Sequence, residues 1–105
     1  MGVTSIKQEA LGRVVISKQG RDKGRYFVVL QVINDNHVSI ADGDLRKVEK
    51  PKIKNIKHIQ FTNTSIPELV ESLQKGEIPT NNMVRRSLKR FLDESNEGEG
   101  GLVNG

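Results

Sequence analysis

The run from Tyr26 to Ile33, YFVVLQVI, constrains the fold more than any other part of the chain. It is rich in aromatic and β-branched residues, too short for a typical helix, and apolar on both faces for much of its length. This pattern predicts a strand crossing the middle of a small barrel. Short apolar runs separated by turn residues continue on either side, from Leu11 to about Phe61. Val14, Val15 and Ile16 make a strand of Arg13 to Ser17. Asn34-Asp35-Asn36 supplies a tight turn, and His37 to Ala41 returns with Val38 and Ile40 on one face, completing a hairpin. Asp42-Gly43 is a further turn signal. Leu45 to Glu49 then alternates like a fourth strand, and a last short strand is expected within His58 to Phe61.

Beyond Phe61 the period changes. Ser65-Ile66-Pro67-Glu68 has the form of a capping box, followed by Ile66, Leu69, Val70 and Leu73 at helical spacing and by Gly76 as a stop. Pro79, Thr80 and Asn81 or Asn82 open a second predicted helix that ends near Leu92. Val84, Leu88, Phe91 and Leu92 form one of its faces, and Arg85, Arg86, Lys89 and Arg90 the other. Residues 93–105, DESNEGEGGLVNG, are acidic, Gly-rich and aperiodic, which predicts a disordered tail. At 105 residues there is room for one domain. The expected organisation is a flexible segment over 1–10, a mostly β barrel over 11–61, a helical extension over 62–92 and the tail over 93–105.

Charge narrows the function. The net charge of +4 is unevenly spread: residues 1–92 carry seventeen basic against nine acidic side chains, and 93–105 carry four acidic and no basic ones. A body this basic favours polyanionic partners through phosphate neutralisation and counterion release. With no cysteine, thiolate metal sites, disulfides and cysteine nucleophiles are excluded. The first ten residues lack the apolar core of a signal peptide, and no run approaches the ~20 apolar residues that span a bilayer. A soluble, cytoplasmic monomer with no cofactor and no membrane partner is the expectation.

The segment Gly12 to Val32, GRVVISKQGRDKGRYFVVLQV, resembles the KOW motif: an apolar strand, a basic loop with a glycine directly after a basic residue, and a second apolar strand. The matching positions are Gly12, Val14 to Ile16, Gly20, Lys23, Gly24 and the strand beginning at Phe27. With its continuation, the chain is similar to KOW-containing large-subunit ribosomal proteins of archaea and eukaryotes, and to small KOW-domain RNA-binding proteins of Gram-positive bacteria, the latter being closer in length and matching over roughly residues 11–92. The resemblance implies an SH3-like barrel and binding to RNA, commonly ribosomal RNA. It also leaves a second class open, a module that docks on ribosomal protein or RNA polymerase as NusG-type KOW domains do.

The candidate RNA-binding residues fall into three groups. Lys18, Arg21, Lys23, Gly24 and Arg25 belong to the loop, where Gly24 permits positive φ or close approach to a phosphate. Arg46, Lys47, Lys50, Lys52, Lys54 and Lys57 form the densest basic stretch, opposed only by Glu49. It is expected to be extended and flexible around Pro51. Arg85, Arg86, Lys89 and Arg90 are secondary candidates, because a charged outer face is ordinary for an amphipathic helix. Of the four aromatics, Phe27, Phe61 and Phe91 read as core, and Tyr26 as either a barrel residue or a base-stacking one. No enzyme is expected. Gly20 to Gly24 lacks the spacing and the Lys-Ser or Lys-Thr pair of a phosphate-binding P-loop. Asp42 and Asp44 read as turn formers before metal ligands, and His37 and His58 have no evident catalytic partner.

Overall fold

A computed structural model describes residues 9–104 of the chain, with side chains over 9–94. Five strands form one antiparallel sheet: β1 (Arg13–Ser17), β2 (Tyr26–Val32), β3 (His37–Ala41), β4 (Lys52–Asn55) and β5 (Ile59–Ser65), in the order β4-β3-β2-β1-β5. A single 3-10 turn, Ile56–His58, carries the chain from β4 at one edge to β5 at the other. Main-chain bonds from Ile56 to the Asn36 carbonyl (2.8 Å) and from Lys18 to the His58 carbonyl (2.8 Å) tie this crossing to both sides. The result is a small SH3-like barrel.

Strand pairing explains the unbroken apolar run of β2. Val14 pairs with Val28 and Val15 with Phe27, while Val28 pairs with Ala41 and Val29 with Ile40. Because side chains alternate, two separate layers follow. Val15, Phe27, Val29, Val38, Ile40 and Ile59 fill the barrel interior. Val14, Val28, Leu30 and Ala41 point outward, where they are covered by two helices, α1 (Pro67–Gln74) and α2 (Asn81–Asn104), through Ile66, Leu69, Val84 and Leu88. Both faces of β2 are therefore dry, one against the opposite barrel wall and one against the helices.

Four local expectations change. Leu45 to Glu49 is not a strand. Asp42 Oδ1 accepts from the Asp44 and Arg46 amides (both 2.9 Å), and the Val48 amide donates to Asn81 Oδ1 (2.8 Å). The segment's backbone is thus bonded to the Asp42 and Asn81 side chains and, at the Arg46 and Lys47 carbonyls, to nearby turn amides, and β4, starting at Lys52, takes the free edge of β3 instead. The last strand runs on to Ser65, which pairs with Arg13. Ser65 is consequently held in the sheet, no capping box forms, and α1 starts from Ile66 without a side-chain cap. Phe61, read as core, is 38 % exposed, standing over Glu9, Ala10 and Arg13 at the barrel margin.

α2 opens as expected, with Thr80 Oγ1 accepting from the Met83 amide (3.1 Å). Its backbone stays helical to Asn104, through most of the segment whose composition predicts disorder; the side chains of 95–105 lie outside those described. Of the flexible segment expected over 1–10, residues 1–8 lie outside the described ones, while Ala10 packs into the barrel core.

Candidate nucleic-acid interface

The β1–β2 loop is shaped by its own backbone and by one carboxylate. The Gly24 amide donates to the Ser17 carbonyl (2.8 Å), and the Arg25 amide to that of Asp22 (3.0 Å). Gly24 has φ +89°, as the motif requires, and a Cβ built there would meet nothing within 4 Å, so the space above it is open to a ligand. Lys18, Arg21 and Lys23 are exposed, and among the described residues their side chains have no ion-pair partner.

Asp22 is the residue that sequence reasoning passed over. Its Oδ1 accepts from Ser17 Oγ (2.7 Å) and Lys54 Nζ (3.1 Å), and its Oδ2 lies 3.2 Å from Lys52 Nζ. Lys54 Nζ also donates to the Gln19 carbonyl (2.8 Å). Burial alone would raise the Asp22 carboxyl, but the bonds from Ser17, Lys54 and Lys52 outweigh it and hold the pKa at about 2. Lys52 and Lys54, two residues apart on β4, share one face of the strand and are turned in to lock the loop to the sheet. Lys54 is itself buried, 8 % exposed. The expected flexible lysine run is therefore divided. Two of its cations brace the loop from a regular strand, whereas Arg46, Lys47, Lys50 and Lys57 stay on the surface.

A second carboxylate performs a parallel service on the other side of the loop. Asp42, buried beneath its turn, accepts from the Arg46 and Asp44 amides on one oxygen and from Arg25 Nη2 on the other (3.0 Å). Burial would raise this carboxyl too, and those three donors pull it below its ordinary value. Asp42 is thus a turn former that also fixes the direction of Arg25. Gly43, at φ +78°, completes the turn, and a Cβ there would collide with the Asn81 carbonyl at the start of α2. Arg85 Nη1 reaches back to the Gly43 carbonyl (2.9 Å) and its Nη2 to Asn82, while Asn81 Nδ2 donates to Glu49 (3.0 Å).

The four helix cations consequently differ. Arg85 staples the turn, Arg90 faces Glu68 at 3.6 Å, and Arg86 and Lys89 are exposed with no ion-pair partner among the described residues. Two concavities lie along this side of the molecule. One, of about 280 Å³, is formed by Arg21, Arg46, Lys52 and the exposed Leu45. The other, of about 620 Å³, lies between the barrel and α2 and holds Tyr26, Arg85, Arg86 and Lys89, with Asp42 and Asp44 at its edge. Arg25 lines both. The structure therefore gathers Arg21, Arg25 and Arg46 with Arg86 and Lys89 on one basic strip, joining the first group to the third through only part of the second. Lys18 lies instead beside the 3-10 turn that carries Lys57, and neither it nor Lys23, Lys47 or Lys50 lines these two grooves.

Among the described residues no group of three or more His, Asp or Glu is placed to hold a metal. The His37 and His58 rings each hydrogen-bond to an amide side chain, Asn34 (3.1 Å) and Gln19 (3.0 Å). Among the described residues no helix is long and apolar enough to cross a membrane.

With this geometry in hand, comparison with known proteins points in one direction. The chain is similar to archaeal ribosomal protein eL14. The large ribosomal subunit protein eL14 of Desulfurococcus amylolyticus is 35 % identical over 57 residues, covering 53 % of this chain and 58 % of that protein. The eL14 of Pyrobaculum arsenaticum is 34 % identical over 61 residues, 58 % of this chain and 59 % of that protein. The chain therefore spans under two thirds of the length of these curated relatives. No family model matches the sequence. The resemblance read from the loop and its flanking strands, to KOW-containing archaeal large-subunit proteins, is borne out by these two relatives.

Proposed function

We propose that the chain is a non-catalytic RNA-binding protein of the ribosome, acting in the cytoplasm on ribosomal RNA. The observation that carries this reading is the row of cations from Arg21 and Arg46 through Arg25 to Arg86 and Lys89, which outnumber the carboxylates Asp22, Asp42 and Asp44 among them, on a chain similar in sequence to a large-subunit ribosomal protein. Arg25 is oriented in advance by Asp42, and Arg21 and Lys23 are presented beside the open backbone at Gly24, an arrangement suited to phosphate oxygens. Lys18, Lys47, Lys50 and Lys57 add to the long-range field. Lys52 and Lys54 contribute by holding the loop.

The test is the salt dependence of RNA binding by the full chain. If about five phosphates are neutralised on irregular RNA, log K should fall against log salt with a slope of roughly −3 to −4. An affinity indifferent to salt overturns the reading. Sedimentation with ribosomal subunits, with and without ribonuclease, then separates ribosomal RNA from other RNA as the target.

One observation favours a second reading, docking on protein. A groove of about 540 Å³ between β2, β3 and the end of α1 is lined by Leu30, Val48, Pro51, Leu73 and Ile78. Ile78 is 67 % exposed, and the buried Ser39 hydroxyl in the same groove has no hydrogen-bond partner. If a ribosomal protein occupies this groove, Ile78→Glu should abolish co-sedimentation while leaving affinity for free RNA unchanged.

A further inference from the structure

Resting on the RNA-binding reading, we infer that the groove between Tyr26 and α2 seats one unpaired nucleotide, so that the protein prefers single-stranded or looped RNA to duplex. Three observations converge. The groove's volume, about 620 Å³, is in the range of small-ligand sites and is closed on one side by an aromatic ring. Tyr26 is half-buried, its ring centroid 5.8 Å from that of Phe91 at an interplanar angle of 53°, so the ring is backed by another aromatic and held in place. The cations opposite it are unequal: Arg85 is bonded to Gly43 and Asn82 and Arg25 to Asp42, while Arg86 and Lys89 are exposed without an ion-pair partner among the described residues.

A nucleotide satisfies this arrangement in a way that a bare anion does not. Its phosphate falls to Arg86 and Lys89, three residues apart and hence neighbours on the helix surface. Its base lies against Tyr26. Asp44, exposed in the groove's lining, repels a second phosphate but can accept from an exocyclic amino group of the base, whereas Asp42 is taken up by Arg25 and its own turn. A base already paired in a duplex cannot enter without being unstacked, which is the origin of the preference for unpaired RNA.

The chain supplies its own reporter. Tyr26 is the single tyrosine and there is no tryptophan, so intrinsic emission reports on this groove alone. Titration of the full chain with a mixed-sequence single-stranded RNA decamer should quench the emission saturably, and inorganic polyphosphate should bind without quenching. The double variant Arg86→Glu, Lys89→Glu replaces exposed side chains, so its far-ultraviolet circular dichroism should match the parent. The decamer concentration at half-quench should rise about tenfold or more. Anisotropy of a labelled decamer provides the independent control. Binding seen by anisotropy, with no change in tyrosine emission and no effect of the double variant, overturns the groove and leaves the RNA reading intact. No binding by anisotropy overturns the RNA reading and this inference with it.

Discussion

The densest basic stretch of the sequence and the basic face of α2 are each divided between cations that hold the fold and cations left on the surface. On β4, Lys52 and Lys54 turn in toward Asp22 and spend their charge on the fold. On α2, an amphipathic helix of ordinary appearance, Arg86 and Lys89 keep theirs on the surface, beside Arg25 and Tyr26. Charge density along a chain is therefore a poor guide to which cations the fold leaves unpaired. What matters is whether a carboxylate lies within reach of the cation in the folded structure, and for Lys54 the nearest one comes from a loop that lies far away in sequence.

Four measurements can break or sharpen this contrast. The largest effect should come from Lys54→Met, which leaves the buried Asp22 carboxylate short of a partner. A loss of about 3 kcal/mol in urea unfolding is expected, against less than about 0.5 kcal/mol for Arg86→Met on the surface. Equal losses in the two variants would remove the distinction.

Next is the acid limb. The folded Asp22 pKa of about 2 lies below the ordinary 3.8. Its contribution is therefore complete above the ordinary value and is lost as pH falls through about 4 toward 2. By linkage this amounts to about 2 kcal/mol, present in the parent chain and missing from an Asp22→Asn variant followed by thermal unfolding across that window.

Third, Arg21→Ala with Lys23→Ala should weaken RNA binding by about tenfold with the stability unchanged. Lys54→Met, measured where it is still folded, should weaken RNA binding less than that pair does, because Lys54 acts only through the loop it braces; an equal or larger loss would return β4 to the interface. The smallest effect is expected from Arg90→Ala. Its pair with Glu68 is exposed on both sides, so less than about 0.5 kcal/mol should be lost.

Much of the fold was legible because hydropathy and turn chemistry encode it directly. β1, β2, β3 and the turn between the last two lie where Val14 to Ile16, YFVVLQVI and Asn34 to Asn36 place them, and Gly24 has the positive φ that the loop demands. Leu45 to Glu49 misled because its alternation has another origin. Val48 is buried beneath α2 and Leu45 is exposed, but the backbone between them is bonded to Asp42 and Asn81 rather than to a strand. β4 was invisible for the opposite reason. KIKN is polar by any hydropathy count, yet Lys54 occupies a buried position made tolerable by Asp22.

The site was legible as three groups of charge but not as a surface. Nothing in the spacing of Arg25 and Arg86 says that one groove unites them. Asp22 gave no signal beyond being an acid in a basic setting, and Asp42 signalled its turn but not its bond to Arg25.

The covered outer face of the sheet has a consequence for how the molecule must be handled. Val14, Val28, Leu30 and Ala41 meet Leu69, Val84 and Leu88 from the helices, so a fragment cut after Ser65 would leave a continuous oily wall open to water. Such a piece should clump rather than behave as a free-standing barrel, and the intact body should melt in a single step. Strands and helices here are one folding unit, and any dissection of the basic strip has to be made by point substitution instead of truncation.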